Sequence, residues 1–445
     1  EQCPRRLWLQ THEPEQAHFD EGAEARFTAG NEVGDLARRL VAGGILVGDE
    51  DLGAALTTTR RILAEATQPL FEATFQYDGV LVRVDVLLPS GDGAWHVAEV
   101  KSSTAAKDTH LRDLATQVWV MEASGLRVTS AAIRHLDRGF VLRAPDSWDG
   151  IFADVDLTDA VRPIIADRPA LVAEARAMLG GTEPTCDPGR QCHSPYECEF
   201  QVWCGRNMPN GPEWGIDLLP NTGSRIAQHW AKRGIFDLRE LPEDAGLNPR
   251  HERIRRATVT GEPHVDRAAI RAETAAWSYP RIWIDFETIA FAVPHWIGTS
   301  PWQQVPFQFS AHVEAADGAV EHVEALDLGG ADPRCALASR LADLPKEGTV
   351  IAWNASFEKR CFRELAEACP DHAPELLDLE RRTVDLLPVV RNHYYHREQR
   401  GSWSIKAVLP TLAPELDYAR LEVKDGMAAQ DAYMRALKRH SLVFG

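Results

Sequence analysis

Residues 79–101 constrain this chain more than any other stretch. "GVLVRVDVLL" alternates as a β-strand does, with Val82, Val84, Val86 and Leu88 on one face and Arg83 and Asp85 on the other. A Gly-Asp-Gly turn follows at 91–93, and then Trp95-His96-Val97-Ala98-Glu99-Val100-Lys101. Period two points Glu99 and Lys101 one way, and Ala98 and Val100 into a core. Pairing across the turn brings Asp85, Glu99 and Lys101 to one side of a sheet. Two carboxylates in that position suit Mg²⁺ or Mn²⁺, which activates a water and neutralises a phosphodiester. The lysine ammonium orients the water and offsets developing charge, and Gln117, one helix later, braces the lysine or the phosphate. The plainer alternative is a solvated strand face carrying a Glu/Lys pair.

The run "GVLVRVDVLL … HVAEVKSS … QVWVM" resembles the PD-(D/E)xK nuclease core as arranged in RecB-type exonuclease domains. The resemblance implies Asp85 and Glu99 as metal ligands, Lys101 as the catalytic lysine and Gln117 as the supporting glutamine. Such domains often carry a histidine in an early helix. Here "TAGNEVGDLARRL" offers Glu32 and Asp35 instead.

Of eight cysteines, Cys186, Cys192, Cys198 and Cys204 crowd together, and Cys3 lies near the start. The wide spacing of Cys192, Cys198 and Cys204 is a poor zinc signature, while a 4Fe–4S cluster accepts it and needs four thiolates. Cys3 is the expected fourth ligand, which would staple the chain's start to the end of its first domain. Zinc and plain reduced thiols are the alternatives. A Cys near the start with three after the nuclease core resembles the iron–sulfur subclass of RecB-like nucleases, including the CRISPR-adaptation exonucleases. Cys186 competes as a ligand, and the family run favours Cys192. Cys335, Cys361 and Cys369 read as small buried thiols, and a chain long enough to bury a core needs no disulfide scaffold.

"RIWIDFET" alternates as a strand that places Asp285 and Glu287 on one face near its C-terminal end, a platform for two metal ions. "GTVIAWNASFEKRCFREL" reads as a buried strand turning into a helix, capped by Asn354 or Ser356, with Glu358 on its first turn. Asp385 follows in "RRTVDLLPVV" and Asp431 on the helix "KDGMAAQDAYMRAL". The set resembles the DnaQ-like (DEDD) exonucleases of the RNase H-like fold, which implies metal-binding roles for all five acids. Glu358 stands where that family has Asp. Gly426 stands where it has the histidine general base, leaving Asp425 or the pair Tyr394/Tyr395 as substitutes.

The whole arrangement, extended by "PFQFSAHV" and "SWSIKAVLP", resembles a bacterial family that fuses an iron–sulfur RecB-like domain to a DnaQ-like half. The expected fold is α/β: a restriction-endonuclease-like domain with its cluster over 1–205, a helical linker over 206–275 and an RNase H-like domain over 276–445. The linker's Arg250, Arg253, Arg255 and Arg256 suit a DNA contact, or a solvated spacer. A net charge of −18 excludes a generally basic nucleic-acid coat protein, but not an enzyme that grips nucleic acid locally. No apolar run approaches the roughly 18 residues of a membrane span. The expected protein is a cytoplasmic, metal-dependent nuclease acting on DNA that is single-stranded or has free ends, in repair or anti-phage defence. The alternatives are a DNA-binding scaffold with an inactive C-terminal half, and an RNA 3′-end trimming enzyme.

Overall fold

A computed structural model describes residues 1–19, 22–48, 51–65, 68–206, 211–416 and 426–444. The chain is mixed α/β and divides into two units, Glu1–Met208 with Ala290–Gln303, and Pro209–Ile289 with Gln304–Gly445. Among the described residues no helix is long and apolar enough to cross a membrane.

The first unit contains α1 (Pro4–His12), α2 (Ala23–Arg39), β1 (Ile45–Leu46), α3 (Leu52–Glu65), β2 (Leu70–Tyr77), β3 (Val80–Gly91), β4 (Ala94–Lys101), α4 (Asp108–Ala123), β5 (Arg127–Leu136), β6 (Phe152–Asp156), α5 (Thr158–Leu179) and α6 (Gln201–Gly205). Its six strands form one sheet in chain order. β3 and β4 make the expected hairpin, with Gly91 opposite Ala94 and both intervening residues, Asp92 and Gly93, at positive φ. That left-handed two-residue turn matches strand twist and favours an Asp-Gly pair. β4 and β5 run parallel, so a crossover is needed, and α4 supplies it.

Leu114, Val118 and Met121 of α4 bury one sheet face against Val84, Leu87, Val97 and Ile133. Val86 and Ala98 pack elsewhere, with Phe71, Leu88 and Val100. The expected sharing of one face by Val82, Val84, Val86 and Leu88 therefore breaks: Val82 and Val84 join the first cluster, Val86 and Leu88 the second. Glu72 sits at φ 56°, and the pairs Phe71–Val86 and Ala73–Val84 flank it. A β-branched or bulky side chain resists that backbone region, and strain of this kind costs about 1–3 kcal/mol.

The second unit contains α7 (Gly223–Ala231), α8 (Pro249–Thr260), β7 (His264–Val265), α9 (Arg267–Thr274), β8 (Arg281–Ala290), β9 (Gln304–Glu314), β10 (Val320–Leu326), α10 (Arg334–Ala342), β11 (Thr349–Ala352), α11 (Ser356–Ala368), α12 (Ala373–Arg382), β12 (Thr383–Asp385), α13 (Leu386–His393), β13 (Tyr394–Tyr395), α14 (Ile405–Leu412) and α15 (Gly426–Phe444). Its main sheet has the order β10-β9-β8-β11-β12, with β11 parallel to both β8 and β12. Leu337, Leu341, Phe362 and Leu365 cover one face over Ile282, Ile284 and Phe286.

The stretch expected as a separate linker belongs to this unit. Trp214, Ile216, Leu238 and Ile254 share a core with Tyr394, Tyr395, Trp403 and Val408. Three of its four arginines turn inward. Arg253 donates to the carbonyls of Asn392 and Arg391, Arg255 to Glu252 and the Leu241 carbonyl, and Arg250 lies over Trp403. Arg256 is exposed and the other three are half-buried.

Cys335 and Cys369 also depart from expectation: they form a disulfide rather than two free thiols. Cys361 is a buried thiol, as expected.

Candidate functional site

The β3–β4 hairpin assembles the first centre. The backbone N–H of Val100 donates to Asp85 Oδ2 at 2.7 Å, which holds that carboxylate against β4. Lys101 Nζ donates to Glu99 Oε1 and to Asp113 Oδ2, both at 2.8 Å. Asp85, Glu99 and Lys101 thus meet as the alternation predicts. Gln117 is buried on α4, one helical turn beyond Asp113. Two buried oxygens there, Glu99 Oε2 and Gln117 Oε1, have no hydrogen-bond partner.

Electrostatics mark the same spot. Burial, and next the nearby Glu99, push the Asp85 carboxyl well above the usual carboxylate range. Burial raises the Glu72 carboxyl too, against Arg38 and Arg83, with Glu99 adding to the rise. Burial alone would lower the Lys101 ammonium, but Glu99 and Asp113 outweigh it and keep it charged. Carboxylates forced together with an oxygen left over are what a hard divalent cation relieves, so the donor set fits Mg²⁺ or Mn²⁺.

Glu72 and Asp113 were not singled out from the sequence. Asp113 carried a signal, its i,i+4 spacing to Gln117. A lone acid in the apolar run "LFEATF" was a weaker one for Glu72. Of the early-helix acids, Asp35 is paired with Arg38, which also donates to Glu72 at 2.9 Å. Glu32 lines a pocket with His295, a histidine supplied by the 290–303 segment rather than by the early helix.

The thiols gather where the chain's first residues meet the 186–204 segment. Cys3 Sγ lies 3.7 Å from Cys186 Sγ, the competitor that the sequence ranked second. Cys192 is buried and receives the Gly189 N–H at 3.5 Å. Burial raises the Cys204 thiol, and the neighbouring Cys198, Cys192 and Cys3 raise it further against Arg5. The other three expected ligands therefore lie within electrostatic range of Cys204. Among the described residues, no three His, Cys, Asp or Glu side chains already converge as a metal-holding group. Loading a cluster here would draw the thiolates together, and soft sulfur donors suit iron–sulfur chemistry.

The second centre sits on the second unit's sheet. Asp285 and Glu287 line a cavity of about 500 Å³ with Phe307, Gln308, Ser310 and Tyr433. Burial raises the Asp285 carboxyl. Glu358, on the first turn of α11 as expected, is buried with Oε2 unpartnered. Burial is the main cause that pushes its carboxyl up to about 7, and Asp285 and Asp385 add to the rise. Asp385 caps α13, accepting the N–H groups of Leu387 at 2.9 Å and Asn354 at 3.0 Å. The α11 cap differs from expectation: Ala355 occupies it without a side-chain bond, because Asn354 takes a left-handed conformation and is tied to Asp385.

Asp431 does not join this group. α15 faces the cavity with Ala429, Ala432, Tyr433 and Ala436, and at 100° per residue Asp431 falls off that face. Its carboxylate approaches Arg435 at 3.9 Å. Gly426 does reach the acids, since a Cβ there would lie 3.4 Å from Glu287 Oε2. Of the substitutes for a missing base, Tyr394 and Tyr395 are buried in the other core, their hydroxyls bonded to Thr411 and the Gly401 N–H. Asp425 lies outside the described residues.

Comparison with known proteins adds little to this geometry. Residues 282–404, which include Asp285, Glu287, Glu358 and Asp385, match a family model described as a domain of unknown function, DUF2779. No curated protein matches the chain. A solved structure described as "Crystal structure of SSO0001" is 16% identical, with 46% of this chain and 83% of that chain covered, at a TM-score of 0.22.

Proposed function

We propose that this protein is a metal-dependent nuclease with two phosphodiester-hydrolysing centres, the first of PD-(D/E)xK type and the second of RNase H-like, DnaQ type. One observation carries the reading. In each unit a buried carboxylate with an unpartnered oxygen, Glu99 or Glu358, stands beside further carboxylates. A bound divalent ion would supply an activated water and charge neutralisation on the phosphodiester.

The residues do the rest. Asp85 and Glu99 hold the ion at the first centre, and Lys101, fixed by Glu99 and Asp113, sets a positive charge where the phosphate becomes more negative. Asp285, Glu287, Glu358 and Asp385 hold ions at the second. The order of the second sheet, with its parallel β8, β11 and β12, is consistent with an RNase H-like assignment. Cys3, Cys192, Cys198 and Cys204 hold a 4Fe–4S cluster that fastens α1 to the end of the first unit. The substrate is DNA.

End-labelled DNA incubated with Mg²⁺ or Mn²⁺ tests the reading. Wild-type protein should degrade it, Asp85→Ala and Asp285→Ala should each remove one activity, and the double variant should remove both. Intact DNA under every condition, or undiminished cleavage by the double variant, refutes it. For the cluster, protein purified without oxygen should be brown through thiolate–iron charge transfer and should lose iron in Cys3→Ser. A colourless protein containing zinc would overturn that assignment.

The position of Asp431 favours a second reading, in which the C-terminal half binds nucleic acid without cutting it. In that case Asp285→Ala leaves total cleavage unchanged while Asp85→Ala abolishes it. Matched DNA and RNA oligonucleotides separate DNA cleavage from RNA 3′-end trimming.

A further inference from the structure

The eight cysteines stand in two chemical states. Cys335 and Cys369 are joined, while Cys3, Cys186, Cys192, Cys198, Cys204 and Cys361 are free thiols. A disulfide that coexists with free thiols is open to exchange, in which a thiolate attacks a sulfur it can reach. This bond offers one. Cys335 is exposed on the first turn of α10, whereas Cys369, at the end of α11, is only 3% exposed. A reagent in water therefore meets Cys335 first, and the other half of the bond stays in the core.

The bond closes the loop that delivers Glu358. Its two cysteines are 34 residues apart, and between them run β11, the left-handed turn at Asn354 and the first turn of α11 with Glu358. Cys369 packs in one cluster with Leu337 and Leu341 of α10 and with Phe362 and Leu365 of α11. The same cluster holds Ile284 and Phe286 of β8, the residues that alternate with Asp285 and Glu287. Joining the ends of such a loop restricts the unfolded chain, so the closed bond stabilises this helical layer and the strand beneath it. Opening the bond removes that constraint without touching a residue of the second centre.

We propose that Cys335–Cys369 is a redox-sensitive staple, opened and closed by dithiol exchange, that sets the stability of the segment carrying Glu358. On opening, one thiolate of the dithiol attacks Cys335 Sγ, the S–S bond breaks, and Cys369 leaves as a thiolate and takes up a proton. The dithiol's second thiolate attacks the mixed disulfide and releases Cys335, which is protonated in turn. Two electrons pass to the cysteines, and the dithiol ends as a cyclic disulfide. Closure is the same sequence reversed, with the oxidised dithiol as electron acceptor. The staple stands apart from any activity; that it regulates a metal centre rests on the nuclease reading.

Reduced and oxidised dithiothreitol, mixed in varied ratio, serve as the couple for the full chain under native conditions without oxygen. Differential alkylation with mass spectrometry reads the two cysteines, and hydrogen exchange reads β11 and α11. The pair should open and reclose in folded protein, with one midpoint reached from both directions. Opening should speed exchange in β11 and α11 about tenfold or more. Cys335→Ser, compared with wild type in one buffer, should show the open pattern at every ratio. A bond that opens only when the protein unfolds is a fixed cross-link and overturns the proposal. So does a bond that opens while exchange in β11 and α11 is unchanged. If the staple switches but neither state cuts DNA with Mn²⁺, the nuclease reading falls and the staple stands. If exchange does not respond while Mn²⁺-dependent cleavage persists, the reverse holds.

Discussion

Asp85→Asn should abolish metal-dependent cleavage at the first centre and, in metal-free buffer, make the protein more stable. The two effects have one cause. Asp85 is a carboxylate that burial and Glu99 hold well above its ordinary range, so its charged form opposes folding when no cation is present. For a carboxyl raised in the folded state, the native protein binds the extra proton, and stability falls as pH climbs from the unfolded value through the folded one. Above that window the wild type carries a buried charge that burial and Glu99 disfavour, and asparagine removes it. Calorimetry at increasing pH should place the variant's Tm progressively above that of the wild type, about 2–4 °C for each kcal/mol of difference. Adding Mn²⁺ should reverse the order, because only the wild type gains from binding. Cleavage should drop by at least about 100- to 1000-fold, the scale of losing one transition-state stabiliser. A variant that is less stable than wild type in both conditions would mean that Asp85 is a structural acid.

The first centre was legible in the sequence because strand alternation is a local rule. Once Asp85, Glu99 and Lys101 occupy neighbouring strands, period two and one tight turn suffice to bring them together. Glu72 was hidden because its position depends on a left-handed backbone angle that no side-chain pattern announces. Domain boundaries were partly readable. The helical composition of 206–275 is real, but composition does not say which core Trp214 and Ile254 join. Nor could sequence spacing show that 290–303 leaves the second unit, carrying His295 to the pocket of Glu32. Cysteine chemistry was the least legible, because pairing depends on three-dimensional proximity. Cys335 and Cys369 meet across 34 residues, and Cys186 stands against Cys3 across 183.

Glu358 offers the sharpest separation between a metal centre and an ordinary buried acid. Its carboxyl, pushed up to about 7 by burial and by its neighbours Asp285 and Asp385, is one-half protonated near neutrality when no cation is bound. Relative to an ordinary glutamic acid, the charged form then costs folding roughly 3 kcal/mol above pH 8 and almost nothing below pH 4. Metal-free wild-type protein should therefore lose stability steadily from pH 5 to pH 8. Glu358→Gln, which cannot ionise, should remove most of that slope. A divalent cation should stabilise the wild type far more at pH 8 than at pH 5, where a proton already occupies the carboxyl and competes with the ion. In the glutamine variant the cation's effect should be small at both pH values. Urea unfolding at three pH values, with and without Mn²⁺, reads all four quantities. A wild-type protein whose stability is flat across this window, or whose response to Mn²⁺ is unchanged in Glu358→Gln, would show that Glu358 is buried for packing. The acids of the second unit would then not cooperate as a metal site.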